Sequence, residues 1–139
     1  MNDKNPENEP LRILLVDDMP MNLDLAVRLL TRRGHQVTAV ENGQRAVEAF
    51  QKEAFDVILM DLQMPILDGF QATRRIRKHE ADQSPTSRIP IIAITASDDM
   101  GDRQNCREAG MDGFITKPID IKTVVQTICD IIANTKKTL

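Results

Sequence analysis

Several function classes are set aside by what the sequence has little of. Its two cysteines, Cys106 and Cys129, stand in neither CxxC nor metal-ligand spacing, so both read as reduced structural thiols. No apolar run is long enough to span a bilayer, and the first residues are polar rather than signal-like. The cytoplasm is the expected location, and no membrane contact is expected. Lysine and arginine number 18 against 21 aspartates and glutamates, a net charge of -3, so no basic surface for nucleic acid is indicated. Aromatic residues are scarce: four phenylalanines, with neither tryptophan nor tyrosine. No internal repeat or low-complexity segment occurs. What remains is an ordinary globular composition, 41% hydrophobic and 28% charged, in 139 residues, the size of one domain.

The first ten residues (MNDKNPENEP) carry two prolines and no periodicity, which predicts a disordered leader over 1–10. From Leu11 a regular alternation begins. Nearly continuous apolar runs at Arg12–Val16, Gln36–Val40, Phe55–Met60, Ile89–Thr95 and Gly113–Thr116 predict strands buried on both faces. Between them lie helical stretches with recognisable ends: Met21–Arg33 closed by Gly34, Gly43–Glu53 behind Asn42, and Asp99–Ala109 closed by Gly110. Leu67–Glu80 and Ile121–Asn134 complete five helices, and 81–88 reads as the longest loop. Five strands alternating with five helices predict an α/β fold over 11–134, a doubly wound parallel sheet with helices on both faces. Residues 135–139 read as a short polar end.

In such a sheet ligands bind beyond the carboxyl ends of the strands. The residues arriving there are Asp17 and Asp18 after the first strand, Asp61 after the third, Thr95 at the end of the fourth and Lys117 after the fifth. Singly, each aspartate suits a helix cap, Thr95 a strand end and Lys117 a solvated charge. Together they are harder to explain that way. Two unit charges about 4 Å apart repel by roughly 4 kcal/mol at an effective dielectric near 20, and three carboxylates make three pairs. One ammonium cannot balance them, whereas carboxylate oxygens suit a hard divalent cation such as Mg²⁺. A carboxylate nucleophile flanked by a cation, an ammonium and a hydroxyl is a set that serves phosphoryl transfer.

At these residues the sequence resembles the receiver domains of response regulators and hybrid histidine kinases, from Leu11 to Ile132. The matching motifs are ILLVDD (Ile13–Asp18), DVILMDLQMPILDG (Asp56–Gly69), ITA (Ile94–Ala96) and GFITKP (Gly113–Pro118). The resemblance implies a flavodoxin-like (βα)5 sheet of order 2-1-3-4-5, the order for which another member of this family is a standard example. It implies that Asp61 is the phosphoacceptor and that Thr95 and Lys117 contact the phosphoryl group. Asp17, Asp18, Asp61 and the backbone carbonyl of Gln63 would hold Mg²⁺ (or Mn²⁺). Thr95 and Phe114 would form the switch, acting on the face of the fourth helix, fifth strand and fifth helix. Gln63 and Ser97 would tune the phosphoryl lifetime, and the bond before Pro118 would be cis. The partner would be a histidine kinase or a histidine phosphotransfer protein, with dimerisation through the switch face. Such a domain catalyses its own phosphorylation and dephosphorylation; if excised from a hybrid protein, its parent would be a sensor histidine kinase.

Three other readings stay open. A haloacid-dehalogenase-type phosphatase usually has a DxD nucleophile after its first strand, whereas here Leu62 and Gln63 follow Asp61. A nucleotide-binding flavodoxin-like protein would want a glycine-rich loop after that strand, and none is present. An interaction module that is never phosphorylated would not need the acidic set. Two surfaces are also predicted. Leu23, Ala26, Val27 and Leu30 form a core stripe on the first helix, while Met21, Leu25 and Leu29 form a second, suited to docking a partner's helical bundle. Arg74, Arg75, Arg77 and Lys78 read as a solvated basic face on the third helix.

Overall fold

The computed structural model describes residues 10–62, 64, 67–83, 88–96, 100–117 and 119–137. Its strands are β1 (Arg12–Val16), β2 (Gln36–Val40), β3 (Val57–Asp61), β4 (Ile91–Thr95) and β5 (Gly113–Thr116). They alternate with α1 (Pro20–Arg32), α2 (Gly43–Lys52), α3 (Gly69–Gln83), α4 (Met100–Ala109) and α5 (Ile121–Lys137). All strand pairs are parallel, and the order is β2-β1-β3-β4-β5, as the resemblance implied.

Alternation along the strands builds two cores, one on each face of the sheet. On one face Leu14, Val16, Ile58, Met60, Ile91 and Ala93 pack with Ala46 and Val47 of α2, Ala72 and Ile76 of α3, and Cys106 of α4. On the other, Ile13, Leu15, Leu59, Ile92, Ile94 and Ile115 pack with Ala26 and Leu30 of α1 and with Val124 and Ile128 of α5. The three central strands are buried throughout or nearly so, which is why their sequences are continuously apolar. β2 departs from the expectation of burial on both faces. It is an edge strand, exposed at Gln36 and Ala39 and half-buried elsewhere.

Helix ends follow local chemistry. Asn42 accepts from the Arg45 amide at 2.9 Å and caps α2. Asp68 and Gln71 form a reciprocal box at the start of α3: Asp68 Oδ1 accepts the Gln71 amide at 2.8 Å, and Gln71 Oε1 accepts the Asp68 amide at 3.3 Å. Gly34 and Gly110 close α1 and α4 with φ of 92° and 103°, a region that favours glycine. α3 begins two residues later than its apolar pattern predicts because the cap is Asp68, and it runs on to Gln83. α5 continues to Lys137, so helix occupies part of what reads as a polar end. The predicted leader lies, apart from Pro10, outside the described residues, as does much of the predicted 81–88 loop.

Candidate phosphoacceptor site

The ends of β1 and β3 bring the acidic residues together, and the end of β5 adds an ammonium. Asp17 and Asp18 leave the end of β1, and the Asp17 amide still donates to the Val40 carbonyl of β2 at 3.2 Å. Asp61 is the last residue of β3 rather than the first beyond it. Carboxylate oxygens of Asp17, Asp18 and Asp61 all lie within 4.8 Å of one another. Lys117 arrives from β5, held in place by its amide, which donates to the Thr95 carbonyl at 2.7 Å. Its Nζ reaches Asp61 Oδ2 at 3.4 Å and Asp17 Oδ2 at 3.5 Å, bridging two of the three carboxylates.

α1 has Met19 at its N-cap with no side-chain cap, and α3 is capped by Asp68. Among the described residues, no hydrogen bond from Asp17 or Asp18 caps α1, and the α3 cap bond comes from Asp68. Asp17 Oδ1 instead accepts the Met19 amide at 2.9 Å, which fixes its carboxylate against the loop. Its other oxygen, Oδ2, is buried and has no hydrogen-bond partner among the described residues; the Lys117 ammonium at 3.5 Å is a Coulombic neighbour only.

Burial sharpens the charge problem. Asp17 and Asp61 are 2% and 3% exposed, Asp18 is open to solvent, and Lys117 is half-buried. Among the described residues, three carboxylates against one ammonium leave two formal negative charges in a partly desolvated pocket. Uncompensated buried charge is costly, and a buried oxygen without a donor adds to that cost. An all-oxygen, net-dianionic set open to water on the Asp18 side fits a hard divalent cation such as Mg²⁺. The residues fit the group.

Alternation assigns the groups to sides. Asp17 and Asp61 continue the Ile13–Leu15 and Val57–Leu59 rows, and Lys117 continues from Ile115, all on the face covered by α1 and α5. Thr95, 3% exposed, continues from Ala93 on the opposite face. Phe114 pairs with Ala93 in the β4–β5 register, two residues before the Thr95–Thr116 pair. Thr95 and Phe114 therefore share a face, and Phe114 is half-buried there. A groove of about 110 Å³ leads away from Lys117 along α1, lined by Asn22, Leu25, Ala26, Leu29 and Ile119. The sequence places five groups at one edge, and the structure assembles the four charged ones. Gln63, Ser97 and Pro118 lie outside the described residues.

Comparison with known proteins settles the family. The model of the response regulator receiver domain matches residues 13–129. The chain belongs to that family. It is 46% identical over 117 residues to the sensor protein GacS of Pseudomonas syringae, covering 84% of this chain and 13% of that protein. The chain thus spans a small fraction of the length of such a relative. The receiver domain of a sensor histidine kinase from Pseudomonas aeruginosa, solved with magnesium coordinated in its active site cleft, superposes with a TM-score of 0.77 at 37% identity. That match covers 90% of this chain and 99% of that one. The receiver domain of the yeast response regulator Ssk1, solved with the histidine phosphotransfer protein Ypd1, gives a TM-score of 0.80 at 27% identity over 86% of each chain. The chain is a two-component receiver domain. The haloacid-dehalogenase and nucleotide-binding alternatives fall away with this assignment.

Two residues at the site escaped the sequence reading. Gly69 follows Asp68 where α3 begins; its amide donates to the Leu62 carbonyl at 3.1 Å, and a Cβ there would run into the Asp61 carbonyl. The Asp-Gly pair at a strand-to-helix junction was the available signal. Arg103 of α4 stands over the Phe114 ring and had no sequence signal, since nothing local links an α4 surface residue to β5.

Proposed function

We propose that this receiver domain is a working phosphoacceptor, in which Asp61 takes a phosphoryl group from the phosphohistidine of a histidine kinase or histidine phosphotransfer protein. The observation that carries the reading is the acidic triad itself, with three carboxylates mutually within 4.8 Å and the Lys117 ammonium bridging two of them. A receiver that served only as a docking module would have no use for that repulsion.

Asp17, Asp18, Asp61 and the backbone carbonyl of Gln63 would hold Mg²⁺. When bound, the ion supplies charge neutralisation to the transferring phosphoryl oxygens. An Asp61 oxygen attacks phosphorus as the phosphorus–nitrogen bond to the donor imidazole breaks. The leaving nitrogen keeps the electron pair of that bond, and the proton on the other ring nitrogen lets the donor depart as neutral histidine. Lys117 Nζ, already 3.4 Å from Asp61, neutralises an oxygen of the arriving group, and the Thr95 hydroxyl donates to another. Mn²⁺ would satisfy the same oxygen set. Gln63 and Ser97 would set how fast the acyl phosphate is lost, and a cis bond before Pro118 would fix the direction of the Lys117 loop. The domain would thus catalyse its own phosphorylation and dephosphorylation without acting as a separate enzyme.

Two surfaces follow. Met21 and Leu25 are 82% and 54% exposed, next to the groove that begins at Lys117. An apolar strip beside the pocket suits a donor whose histidine must enter that pocket. The α4–β5–α5 face is the output side, where Phe114 would respond to Thr95 and where dimerisation would occur.

The test is intact mass spectrometry after incubation with Mg²⁺ and a small acyl-phosphate donor. A phosphoryl adduct is expected in the wild type and not in Asp61→Ala; equal labelling of both would reject Asp61 as acceptor. In the same assay Leu25→Asp should label normally from the small donor yet slowly from a cognate phosphohistidine protein. Equal slowing of both reactions would remove α1 as the docking surface.

A further inference from the structure

The guanidinium of Arg103, on α4, lies 5.0 Å from the centroid of the Phe114 ring. That is inside the roughly 6 Å reach of attraction between a cation and an aromatic face. Phe114 packs on the core that holds Ala93, Cys106 and Met111. Cys106, one turn after Arg103, is buried in that core, and Ala109 is buried at the end of the same helix, so Arg103 is carried over the ring by an already fixed helix. Beside the ring on β4 is Ala93, a small neighbour, and two residues further along the same face is Thr95. A ring that turned inward toward Thr95 would have to leave the guanidinium. The contact therefore belongs to one of two states.

We propose that Arg103 is a positioning residue, a cation–π latch that holds Phe114 in its resting place and sets how much of the unphosphorylated chain is already switched. This rests on the reading of Thr95 and Phe114 as the switch. Its logic is thermodynamic: a contact made in only one conformation biases the equilibrium, whereas one made equally in both shifts nothing. A group that binds the switched state better must, reciprocally, bind more tightly when the resting state loses a contact.

The experiment uses the full chain with fluorinated phenylalanine, whose four residues give four ¹⁹F resonances. It is titrated with beryllofluoride, a phosphoryl mimic, in the presence of Mg²⁺. Arg103→Gln alone should move the Phe114 resonance toward its beryllofluoride-saturated position. It should also tighten apparent beryllofluoride binding about two- to fivefold, the scale of a cation–π contact at a partly exposed site. Arg103→Lys should fall between, because an ammonium stacks less well than a planar guanidinium. In a Phe114→Leu background Arg103→Gln should leave the affinity unchanged. An unmoved resonance with unchanged affinity overturns the latch, as does the same tightening in the Phe114→Leu background. If the wild type shows no beryllofluoride response at all, the phosphoacceptor reading fails and the latch with it. A responsive wild type with an identical Arg103→Gln variant rejects the latch alone.

Discussion

His35 sits between α1 and β2 with its Nδ1 accepting the Leu11 amide at 3.0 Å. The residue is 3% exposed, and its Nε2 has no hydrogen-bond partner among the described residues. An Nδ1 that accepts carries no proton, so the native ring is neutral. Burial first, and the Arg33 charge second, hold its pKa below 6.5. The unfolded chain then binds more protons than the native one below about that pH, so stability rises with pH through this window and is lost as pH falls. The slope from one such group cannot exceed about 1.4 kcal/mol per pH unit, and it acts at and below pH 6.5, above the range where ordinary carboxylates titrate. His35→Asn keeps an acceptor for the Leu11 amide and removes the titration. Its thermal midpoint should decline less than that of the wild type from pH 7 to 5; parallel curves would contradict this account. Nothing near His35 in the sequence hints at this role, because the bonded partner is 24 residues away. The site aspartates were legible for the opposite reason: Asp17 and Asp61 each follow directly on an apolar run, and Asp18 adjoins Asp17.

At the scale of elements, α3, the segment leading into β4 and the turn before β5 are joined by Arg77. Its side chain donates to the Gly110 carbonyl at 2.9 Å, to the Ile89 carbonyl and Glu80 Oε1 at 2.8 Å each, and to Asp112 Oδ2 at 2.8 Å. Glu80, 9% exposed, also accepts the Ile89 amide at 2.6 Å, and Asp112 accepts the Ile91 amide at 2.9 Å. This corrects the reading of Arg77 as part of a solvated basic face; Arg74, Arg75 and Lys78 are exposed as expected, but Arg77 is not. Four adjacent cations looked alike because sequence records charge and not which way a helix faces. Removing one member of a mostly buried ionic network leaves its partners unpaired and costs about 3–5 kcal/mol. Arg77→Ala should lower the unfolding free energy from urea titration by about 3 kcal/mol, and Arg77→Lys should recover only part, having no planar fork to reach several acceptors. A loss below about 1 kcal/mol would show the network to be surface-like.

At the scale of the whole molecule, the sheet separates two groups of residues. The face under α1 and α5 carries Asp17, Asp61 and Lys117, together with the groove that leads along α1. The other face carries Thr95 and Phe114 under α4. The acidic residues with Lys117 and the Thr95–Phe114 pair thus sit on opposite sides of one strand layer, near its carboxyl edge. The strand layer was legible from continuous apolar runs, and the edge followed from its topology. The edge character of β2, the capped start of α3 and the Arg103–Phe114 contact were not, since each depends on neighbours distant in sequence. Among the described residues no helix is long and apolar enough to cross a membrane. The central claim is that Asp61, and not Asp17 or Asp18, becomes the acyl phosphate. Borohydride reduction of the phosphorylated chain, followed by peptide sequencing in the mass spectrometer, would convert the acylated aspartate to homoserine and locate it. Homoserine at position 61 alone is the expected result; homoserine at 17 or 18, or none at any position of a chain that carries the adduct, would contradict the account.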